Sequence, residues 1–295
     1  MEPVHRSVLL DEVLEALALD GPEGVLVDGT LGEGGHSVSF LQRFPLARII
    51  GVDADRQMLD RARQRIGEGA PVTFVNSWFD DFFADTTARF DRILLDLGVS
   101  MYHFSLSGRG FSFRSDEPLD MRLNLDGETS AADLVNNQHE HDLADLIFQF
   151  GEERYSRRIA ARIARERAAH PLRTTKELAE VVWAAVPPAY RHGRIHPATR
   201  TFQALRIAVN GELGRITRGL PAALDRLQPS GRCAVISFHS LEDRIVKHLF
   251  RDYAQTRGYT VLTRKPVVPG DDEIRSNPAA RSAKLRVIER TGGDA

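Results

Sequence analysis

Cysteine is nearly absent from this chain of 295 residues. Its one cysteine, Cys233, has no partner for a disulfide within the chain, and a single thiolate cannot form a cysteine metal cluster. Long apolar runs are missing as well, since none approaches the roughly 18 residues that span a bilayer. The first residues also lack the layout of an export signal. We therefore expect a cytoplasmic protein with no membrane span and no bound metal.

An excess of basic charge is also missing. The chain has 39 lysines and arginines against 41 aspartates and glutamates, a formal net charge of -2, whereas a general nucleic-acid coat protein is clearly basic. Any contact with nucleic acid must then come from local basic patches. The length allows one large domain or two of moderate size.

Short apolar runs indicate the strands. Four of them, at 25–27, 48–52, 72–75 and 92–95, are separated by segments long enough for helices. Because they are apolar throughout, we expect strands that are buried on both faces, as in the parallel sheet of an α/β fold.

The middle of the chain has helical character instead. A segment rich in Ala, Arg and Glu predicts a helix over 152–169, Thr174 and Glu177 form a capping box, and Pro197 is suited to open another helix. Strand character returns at 233–238. Two alternating strands, around 259–263 and 284–289, come last. The layout predicts a parallel α/β domain that is interrupted by a helical insertion and closed by an antiparallel hairpin.

A glycine-rich turn and acidic strand ends form the candidate cofactor site. The first strand runs into Asp28-Gly29-Thr30-Leu31-Gly32-Glu33-Gly34-Gly35-His36. Asp53 closes the next strand, where a carboxylate can bind both ribose hydroxyls. Asp96 ends the fourth strand, at the edge where open α/β sheets bind ligands. This pairing of turn and acid suits either a dinucleotide or S-adenosylmethionine.

Three details favour S-adenosylmethionine. Ser37 interrupts the G-x-G-x-x-G pattern of dinucleotide sites, Asp96 adds an acid at the carboxyl edge, and three carboxylates around one crevice suit a sulfonium cation better than a pyrophosphate. Phe79 follows the third strand, and either packing against the adenine or plain core packing would explain it.

Ten stretches that span nearly the whole chain follow one another in a fixed order: His5-Arg6-Ser7-Val8-Leu9-Leu10, Asp28-Gly29-Thr30, Gly34-Gly35-His36, Asp96-Leu97-Gly98-Val99-Ser100, Arg109-Gly110-Phe111-Ser112-Phe113, Pro118-Leu119-Asp120-Met121-Arg122, Gly151-Glu152-Glu153-Arg154-Tyr155, His196-Pro197-Ala198-Thr199-Arg200-Thr201-Phe202-Gln203-Ala204, Ile236-Ser237-Phe238-His239-Ser240-Leu241-Glu242-Asp243-Arg244 and Asn277-Pro278-Ala279-Ala280-Arg281-Ser282-Ala283-Lys284-Leu285-Arg286. In these stretches the chain resembles the RsmH (MraW) family of bacterial small-subunit rRNA cytosine-N4 methyltransferases.

The resemblance implies an activity and a fold. The activity is transfer of a methyl group to N4 of a decoding-site cytosine in 16S rRNA of the small ribosomal subunit. The fold is a class I S-adenosylmethionine-dependent methyltransferase (Rossmann-like) domain, which we assign to 1–104 and 205–295, with an inserted all-helical recognition domain, which we assign to 105–204.

The resemblance also implies the cofactor contacts. They carry over onto Gly34, Gly35, His36, Asp53, Phe79 and Asp96. After Asp-Leu-Gly-Val-Ser the family usually has a glutamine that touches the cofactor. In this chain Met101-Tyr102-His103 follows, and His103 holds the glutamine position.

Methylation of an exocyclic amine requires an acceptor for the proton of that amine. Asp96 is the first candidate, and His239 and Ser240, after the fifth strand, are candidates to hold the base. Methylation at carbon 5 would need a cysteine nucleophile, but Cys233 opens an apolar strand and is expected to be buried.

Candidate RNA contacts lie in two basic segments. Arg154, Arg158, Arg162 and Arg165 are predicted to share one face of the helix at 152–169, where either solvent or RNA phosphates would explain them. Further candidates are His196, Arg200 and Arg206. Arg281, Lys284 and Arg286 form a basic cluster near the C-terminus that is suited to phosphates.

Several alternatives stay open. A nicotinamide-dependent oxidoreductase would use the same turn, and a non-catalytic ribosome assembly factor could keep the cofactor pocket. A methyltransferase acting on another RNA would share most of these features, and only the resemblance sets aside a protein or small-molecule substrate. Association into a homodimer is also left open.

Overall fold

The structure is a computed structural model that describes residues 7–292. His5 and Arg6, the start of the first family motif, lie outside this range. The strands are β1 (Val25–Asp28), β2 (Arg48–Asp53), β3 (Val72–Asn76), β4 (Phe90–Asp96), β5 (Leu227–Ser237), β6 (Tyr259–Val261) and β7 (Lys284–Arg290). The α-helices are α1 (Leu10–Ala16), α2 (Gly35–Arg43), α3 (Arg56–Ile66), α4 (Phe79–Asp85), α5 (Met101–Ser105), α6 (Ala131–Asn137), α7 (Glu140–Gly151), α8 (Ser156–Ala169), α9 (Thr175–Ala185), α10 (Pro188–Arg191), α11 (Ala198–Asn210), α12 (Glu212–Asp225), α13 (Ser240–Thr256) and α14 (Asp271–Ser276).

All seven strands form one sheet, in the order β3-β2-β1-β4-β5-β7-β6. The five strands from β3 to β5 are parallel, and β7 lies antiparallel between β5 and β6. The four apolar runs of the first part of the chain are therefore neighbouring parallel strands, and the closing hairpin is present, as the sequence predicts. Because β2 and β4 flank β1 on opposite sides, the strand order reverses there, where such sheets bind ligands.

Both faces of the parallel sheet are covered. Along β4, Ile93 and Leu95 belong to one apolar cluster, which also contains Leu220 and Phe250 from α12 and α13. Leu94 belongs to another, which contains Phe40 from α2. Neighbouring residues of one strand thus face opposite clusters, which explains why these strands are apolar throughout and do not alternate.

The chain divides into two compact units. The first combines the residues up to Ser100 with those from Leu213 onward and holds the sheet, and the second runs from Met101 to Glu212. Its regular elements are helices α5 to α11, with one isolated β-bridge between Pro118 and Thr174. The sequence-based boundaries differ from these bounds. Residue 104 lies within α5, which begins at Met101, and residue 205 lies within α11, which continues to Asn210. The assignment of this unit to substrate recognition stays a prediction.

Three elements differ from their predicted bounds. The helix predicted over 152–169 begins only at Ser156, because Glu152 adopts a left-handed conformation (φ 49°) that ends α7. Strand β5 starts at Leu227, well before 233, and its pairing with β4 is irregular between Phe90 and Arg92. Strand β6 ends at Val261, before the predicted 263, and helix α14 and a 3₁₀ helix, Pro278–Ser282, lie in the loop of the closing hairpin.

The predicted capping box of α9 is confirmed, with the Thr174 side chain accepting from the Glu177 N–H and the Glu177 side chain accepting in return. Among the described residues, no helix has both the length and the apolar character that crossing a membrane requires.

Candidate active site

Three aspartates mark the carboxyl ends of neighbouring parallel strands. Asp28 ends β1, Asp53 ends β2 and Asp96 ends β4, and both β2 and β4 pair directly with β1. Since these strands run in the same direction, the structure brings the three side chains to one edge of the sheet. This is the juxtaposition that the sequence predicts.

The turn between β1 and α2 depends on its glycines. Gly32 and Gly34 have positive φ angles of 53° and 73°, which side chains rarely tolerate. Gly35 opens α2, and a Cβ there would lie 2.2 Å from the Ser7 hydroxyl oxygen. The turn therefore places the N-terminus of α2, with its free backbone N–H groups, beside the ends of the strands.

Asp53 fixes this turn through its carboxylate. Its Oδ2 accepts a hydrogen bond from the Gly32 N–H at 2.8 Å, and its Oδ1 accepts one from the Asp55 N–H at 2.8 Å. Burial nevertheless raises the pKa of Asp53 to about 7. Each oxygen still has a second lone pair, so the carboxylate is positioned to accept from a diol such as ribose.

Asp28 keeps one oxygen without a donor. Its Oδ2 accepts from the Ser37 hydroxyl at 2.7 Å. Its Oδ1 is buried and has no hydrogen-bond partner in the described part of the chain. Burial raises the pKa of this carboxyl to about 6, although the bond from Ser37 acts in the opposite direction.

Asp96, like Asp28, has one buried carboxylate oxygen without a hydrogen-bond partner among the described residues. Its backbone N–H donates to the Thr30 hydroxyl at 2.6 Å, which holds the end of β4 against the turn. The buried Oδ1 has no hydrogen-bond partner among residues 7–292. Burial, followed by the charges of Asp28 and Glu242, holds the pKa of Asp96 well above its ordinary value.

His36 lies between Asp96 and the chain's first described residues. Its Nε2 is 3.0 Å from the Val8 carbonyl oxygen, and its Nδ1 is 3.7 Å from Asp96 Oδ2. A carbonyl only accepts, so Nε2 carries a proton, and Nδ1 of a neutral ring then presents a lone pair.

These features fit a cationic cofactor. Two buried carboxylate oxygens lack a donor within the described residues, and all three aspartates have raised pKa values. A positive charge among them would favour their ionised forms, whereas a pyrophosphate would add to the repulsion. A sulfonium such as that of S-adenosylmethionine therefore matches the donor-poor, acid-rich edge of the sheet.

Phe79 is the first residue of α4 and is buried in the apolar cluster of this face. A Cβ on Gly219 of α12 would lie 2.5 Å from its ring, so the two helices are closely packed. Core packing thus accounts for most of the Phe79 surface. Its predicted contact with the adenine stays a prediction.

His239 and Ser240 lie where β5 passes into α13. His239 is the N-cap of this helix: its Nδ1 accepts from the Glu242 N–H at 3.4 Å. Glu242 Oε2 accepts in return from the Phe238 and His239 N–H groups at 2.8 and 3.2 Å. A capping role therefore accounts for the orientation of His239, and base binding by His239 and Ser240 stays a prediction.

Glu242 is a site residue that the sequence analysis misses. It is almost fully buried, at 1% exposure, and its charge raises the pKa of Asp96. A carboxylate three residues after an N-cap is the pattern of a capping box, and this pattern in the sequence could have predicted that Glu242 lies at the start of α13.

The prediction that Arg281, Lys284 and Arg286 together bind phosphates is wrong for Arg286. Arg286 is buried, and its Nε donates to Asp243 Oδ1 at 2.7 Å, while Lys284 Nζ lies 3.3 Å from Asp243 Oδ2. An arginine held in this way joins β7 to α13 and is not exposed to phosphates. Arg281 is the exposed member of the three and remains a candidate RNA contact.

The prediction that four arginines share one face of the helix over 152–169 is also wrong. Arg154 precedes this helix, so it does not share a helical face with Arg158, and its guanidinium lies over the Tyr155 and Tyr190 rings. Arg162 pairs with Glu166 at 2.7 Å. Arg154 and Arg158 are both exposed, and together with Arg200 they remain candidate RNA contacts.

His103 lies on α5, in the second unit. It is buried, and its ring centroid is 5.2 Å from that of Phe111. Its contact with the cofactor, in place of the family glutamine, stays a prediction.

Comparisons with known sequences identify the family of this chain. The model of the MraW methylase family matches residues 2–291. A protein of Treponema denticola called ribosomal RNA small subunit methyltransferase H is 53% identical, over 98% of this chain and 98% of its own length. A protein of the same name from Nostoc is 48% identical, over 98% of this chain and 94% of its own length.

A more distant likeness is found among solved structures. An rRNA methylase from Streptococcus thermophilus aligns with a TM-score of 0.43 and 12% identity, over 96% of this chain and 93% of that one. The sequence matches, which extend over nearly the full length, show the family: this chain belongs to the MraW methylase family and is an S-adenosylmethionine-dependent methyltransferase.

Proposed function

We propose that this enzyme methylates N4 of a cytosine in 16S rRNA of the small ribosomal subunit, at position 1402 in the usual bacterial numbering. Relatives at 53% and 48% identity over nearly the whole chain are called ribosomal RNA small subunit methyltransferase H. Identity of this extent supports the same class of RNA substrate. The choice of N4 rests on the chemistry of the site and on the family motifs.

One observation carries the proposal: Asp96 Oδ1 is buried at the sheet edge without a donor in the described part of the chain. An exocyclic amine of a base has N–H groups that such an oxygen can accept. The amine of cytosine is a poor nucleophile because its lone pair is delocalised into the ring. Accepting a hydrogen bond from it helps to localise that pair, and the same oxygen then receives the proton that the methylated amine releases.

The bound cofactor supplies an electrophilic methyl group on its sulfonium. The residues of the chain orient it: Asp53 is placed to accept from the ribose hydroxyls, and the first turn of α2, which begins at Gly35, presents backbone N–H groups. Asp28 and Asp96 provide the negative surroundings of the sulfonium. Because the methyl group is already activated, alignment of amine and methyl group is the main task of the protein.

A raised pKa suits Asp96 to this role. The pKa of an efficient proton acceptor lies near the working pH, and burial moves that of Asp96 upward.

Carbon-5 methylation lacks its nucleophile. Cys233 is fully buried on β5, and burial raises its pKa. A thiol that stays protonated inside the core does not attack a base.

We test the proposal by incubating the protein with methyl-labelled S-adenosylmethionine and small ribosomal subunits that lack the modification, and then identifying the labelled nucleoside. We expect N4-methylcytidine. Label in another nucleoside would overturn the choice of atom. Absence of label in RNA, with cofactor binding intact, would favour the assembly-factor alternative or another substrate.

A further inference from the structure

The second unit carries a cavity that the proposed chemistry does not use. It has a volume of about 290 Å³ and is lined by Arg154, Tyr190, Gly193, Arg194, Ile195 and Arg200. This is close to the roughly 300 Å³ at which small-molecule pockets begin. We call these six residues the arginine–tyrosine pocket.

The pocket combines positive charge with an aromatic ring. The Arg154 guanidinium lies 4.9 Å from the ring centroid of Tyr155 and 5.0 Å from that of Tyr190. The two tyrosine rings meet edge to face, with centroids 4.9 Å apart. Arg158 lies 5.9 Å from the Tyr155 ring on the adjoining surface. Cations and ring faces are thus presented together, as in sites for single-stranded nucleic acid.

The arginines that line the pocket are not held in salt bridges within residues 7–292. Among the described residues, no carboxylate forms a salt bridge with Arg154, Arg194 or Arg200. The Arg200 guanidinium instead donates to the Glu152 carbonyl oxygen at 3.2 Å, which holds it at the rim. Three guanidinium groups in one small cavity attract an anion such as a phosphate.

A buried glutamate orients the tyrosine. Glu153 has no exposed surface, and its Oε2 accepts from the Tyr190 hydroxyl at 2.7 Å while its Oε1 accepts from the Tyr155 N–H at 2.8 Å. Tyr190 is thereby fixed with one ring face against Arg154. A ring held in this way loses little entropy when a base stacks on it.

An aromatic stack supports the loop that completes the pocket. His196 lies 5.3 Å from Trp183 and 4.6 Å from Phe113, measured between ring centroids. The segment 193–195 comes directly before this anchor, and its exposed Arg194 and Ile195 form one wall of the pocket.

From these contacts we infer that the arginine–tyrosine pocket binds one unpaired nucleotide of the RNA substrate, its phosphate on the arginines and its base on Tyr190 and Ile195. This inference rests on the proposed function, because it takes the substrate to be RNA. The inference goes beyond the single candidate arginines, because it assigns to the second unit a subsite of the size of one nucleotide.

The test is binding of a labelled single-stranded RNA of about ten nucleotides to the full-length protein over a series of salt concentrations. Arg194→Ala should weaken binding and lower the slope of log affinity against log salt by about 0.7, the value for one phosphate contact. Tyr190→Ala should weaken binding about tenfold with the slope unchanged, since stacking is not ionic. Tyr190→Phe keeps the ring and should retain most of the affinity.

Matched controls separate the subsite from charge and folding. Arg251→Ala removes an exposed arginine of α13, in the first unit, and should leave both affinity and slope unchanged. A thermal unfolding scan of each variant, compared with that of the wild type, verifies that the second unit, which carries the pocket, is folded. If Arg194→Ala and Tyr190→Ala bind the RNA as Arg251→Ala does, the inference is wrong.

Transfer of label to small subunits by the wild-type protein distinguishes the two hypotheses. If the wild type methylates the subunits but the pocket variants bind RNA normally, only the subsite is contradicted. If the wild type binds RNA through Arg194 and Tyr190 but modifies no RNA, the proposed function is contradicted and the subsite stands.

Discussion

The acidic side chains at the ends of β1, β2 and β4 are held in a state that is unfavourable without a ligand. Asp28 and Asp96 each bury an oxygen for which the described residues provide no donor, and burial raises the pKa of all three carboxyl groups. Charged groups that are desolvated in this way reduce stability but strengthen the attraction for a cation. The three carboxylates thus lower the stability of the ligand-free fold, and we infer that their role is to bind a cation.

Cofactor affinity should therefore depend on pH. The pKa values of Asp28 and Asp53 are about 6 and about 7, and a sulfonium cation favours their ionised forms. Because the ionised fraction of Asp28 rises about fourfold and that of Asp53 about 25-fold between pH 5.5 and 7.5, the dissociation constant of S-adenosylmethionine should fall by up to about 100-fold over this range. Calorimetric titration at several pH values measures this. Affinity that is constant over this range would contradict the charge argument.

Stability of the ligand-free protein should depend on pH in the opposite direction. The folded pKa of Asp28 lies above the ordinary value of 3.8, so its protonated form stabilises the fold at low pH, and this contribution is lost as the pH rises toward about 6. Asp28→Asn does not titrate. It should match the wild type near pH 4 and exceed it at pH 8 by at most about 3 kcal/mol in the free energy of unfolding.

Urea denaturation at both pH values checks this. Ser37→Ala is a useful companion, because it removes the hydroxyl that stabilises the ionised Asp28 and should increase the loss at pH 8. An Asp28→Asn variant that is less stable than the wild type at pH 8 would mean that the carboxylate supports the fold.

At the scale of single helices and strands, several residues of the family motifs have contacts that stabilise the fold. Arg286 joins β7 to α13 through Asp243, and His239 and Glu242 cap α13 reciprocally. In the second unit, a Cβ on Gly151 would lie 2.5 Å from the Arg200 carbonyl oxygen, so this glycine allows α7 and α11 to approach.

The Asp243–Arg286 pair gives a prediction for these elements. Asp243→Ala would leave the buried Arg286 guanidinium without its carboxylate, and loss of one partner of a buried pair costs about 3 to 5 kcal/mol. We expect a marked fall in the thermal unfolding temperature. Arg281→Ala, which removes an exposed charge of the same segment, should leave it unchanged. Equal stability of the two variants would show that the pair contributes little.

The sequence predicted the strands better than it predicted the surroundings of the charged residues. Continuous apolar runs favour a strand covered on both faces, so β1, β2 and β4 and the acids at their ends follow from local pattern. Strand β3 lies at the edge of the sheet, is only partly buried and ends at Asn76. Whether a basic side chain is exposed depends on a partner far along the chain. Asp243 and Arg286 are separated by 43 residues, and no local signal predicts that pair.

At the scale of the whole molecule, the order β3-β2-β1-β4-β5-β7-β6 explains why residues distant in sequence share one site. The chain passes through the first four strands, forms the helical unit, and returns to β5 beside β4. The carboxyl ends of β1, β2, β4 and β5 then lie at one edge. The sequence-based bounds both fall inside helices, 104 within α5 and 204 within α11, and the assignment of 105–204 to a helical insertion stays a prediction.

The most direct test of the account compares methyl transfer by the wild type and by Asp96→Ala at saturating S-adenosylmethionine, on small subunits that lack the modification. The account predicts N4-methylcytidine with the wild type, and a loss of turnover of about 100-fold or more with Asp96→Ala, as for other general acid–base groups. Calorimetry verifies that the variant is saturated with cofactor. Full turnover by saturated Asp96→Ala would contradict the role of this carboxylate.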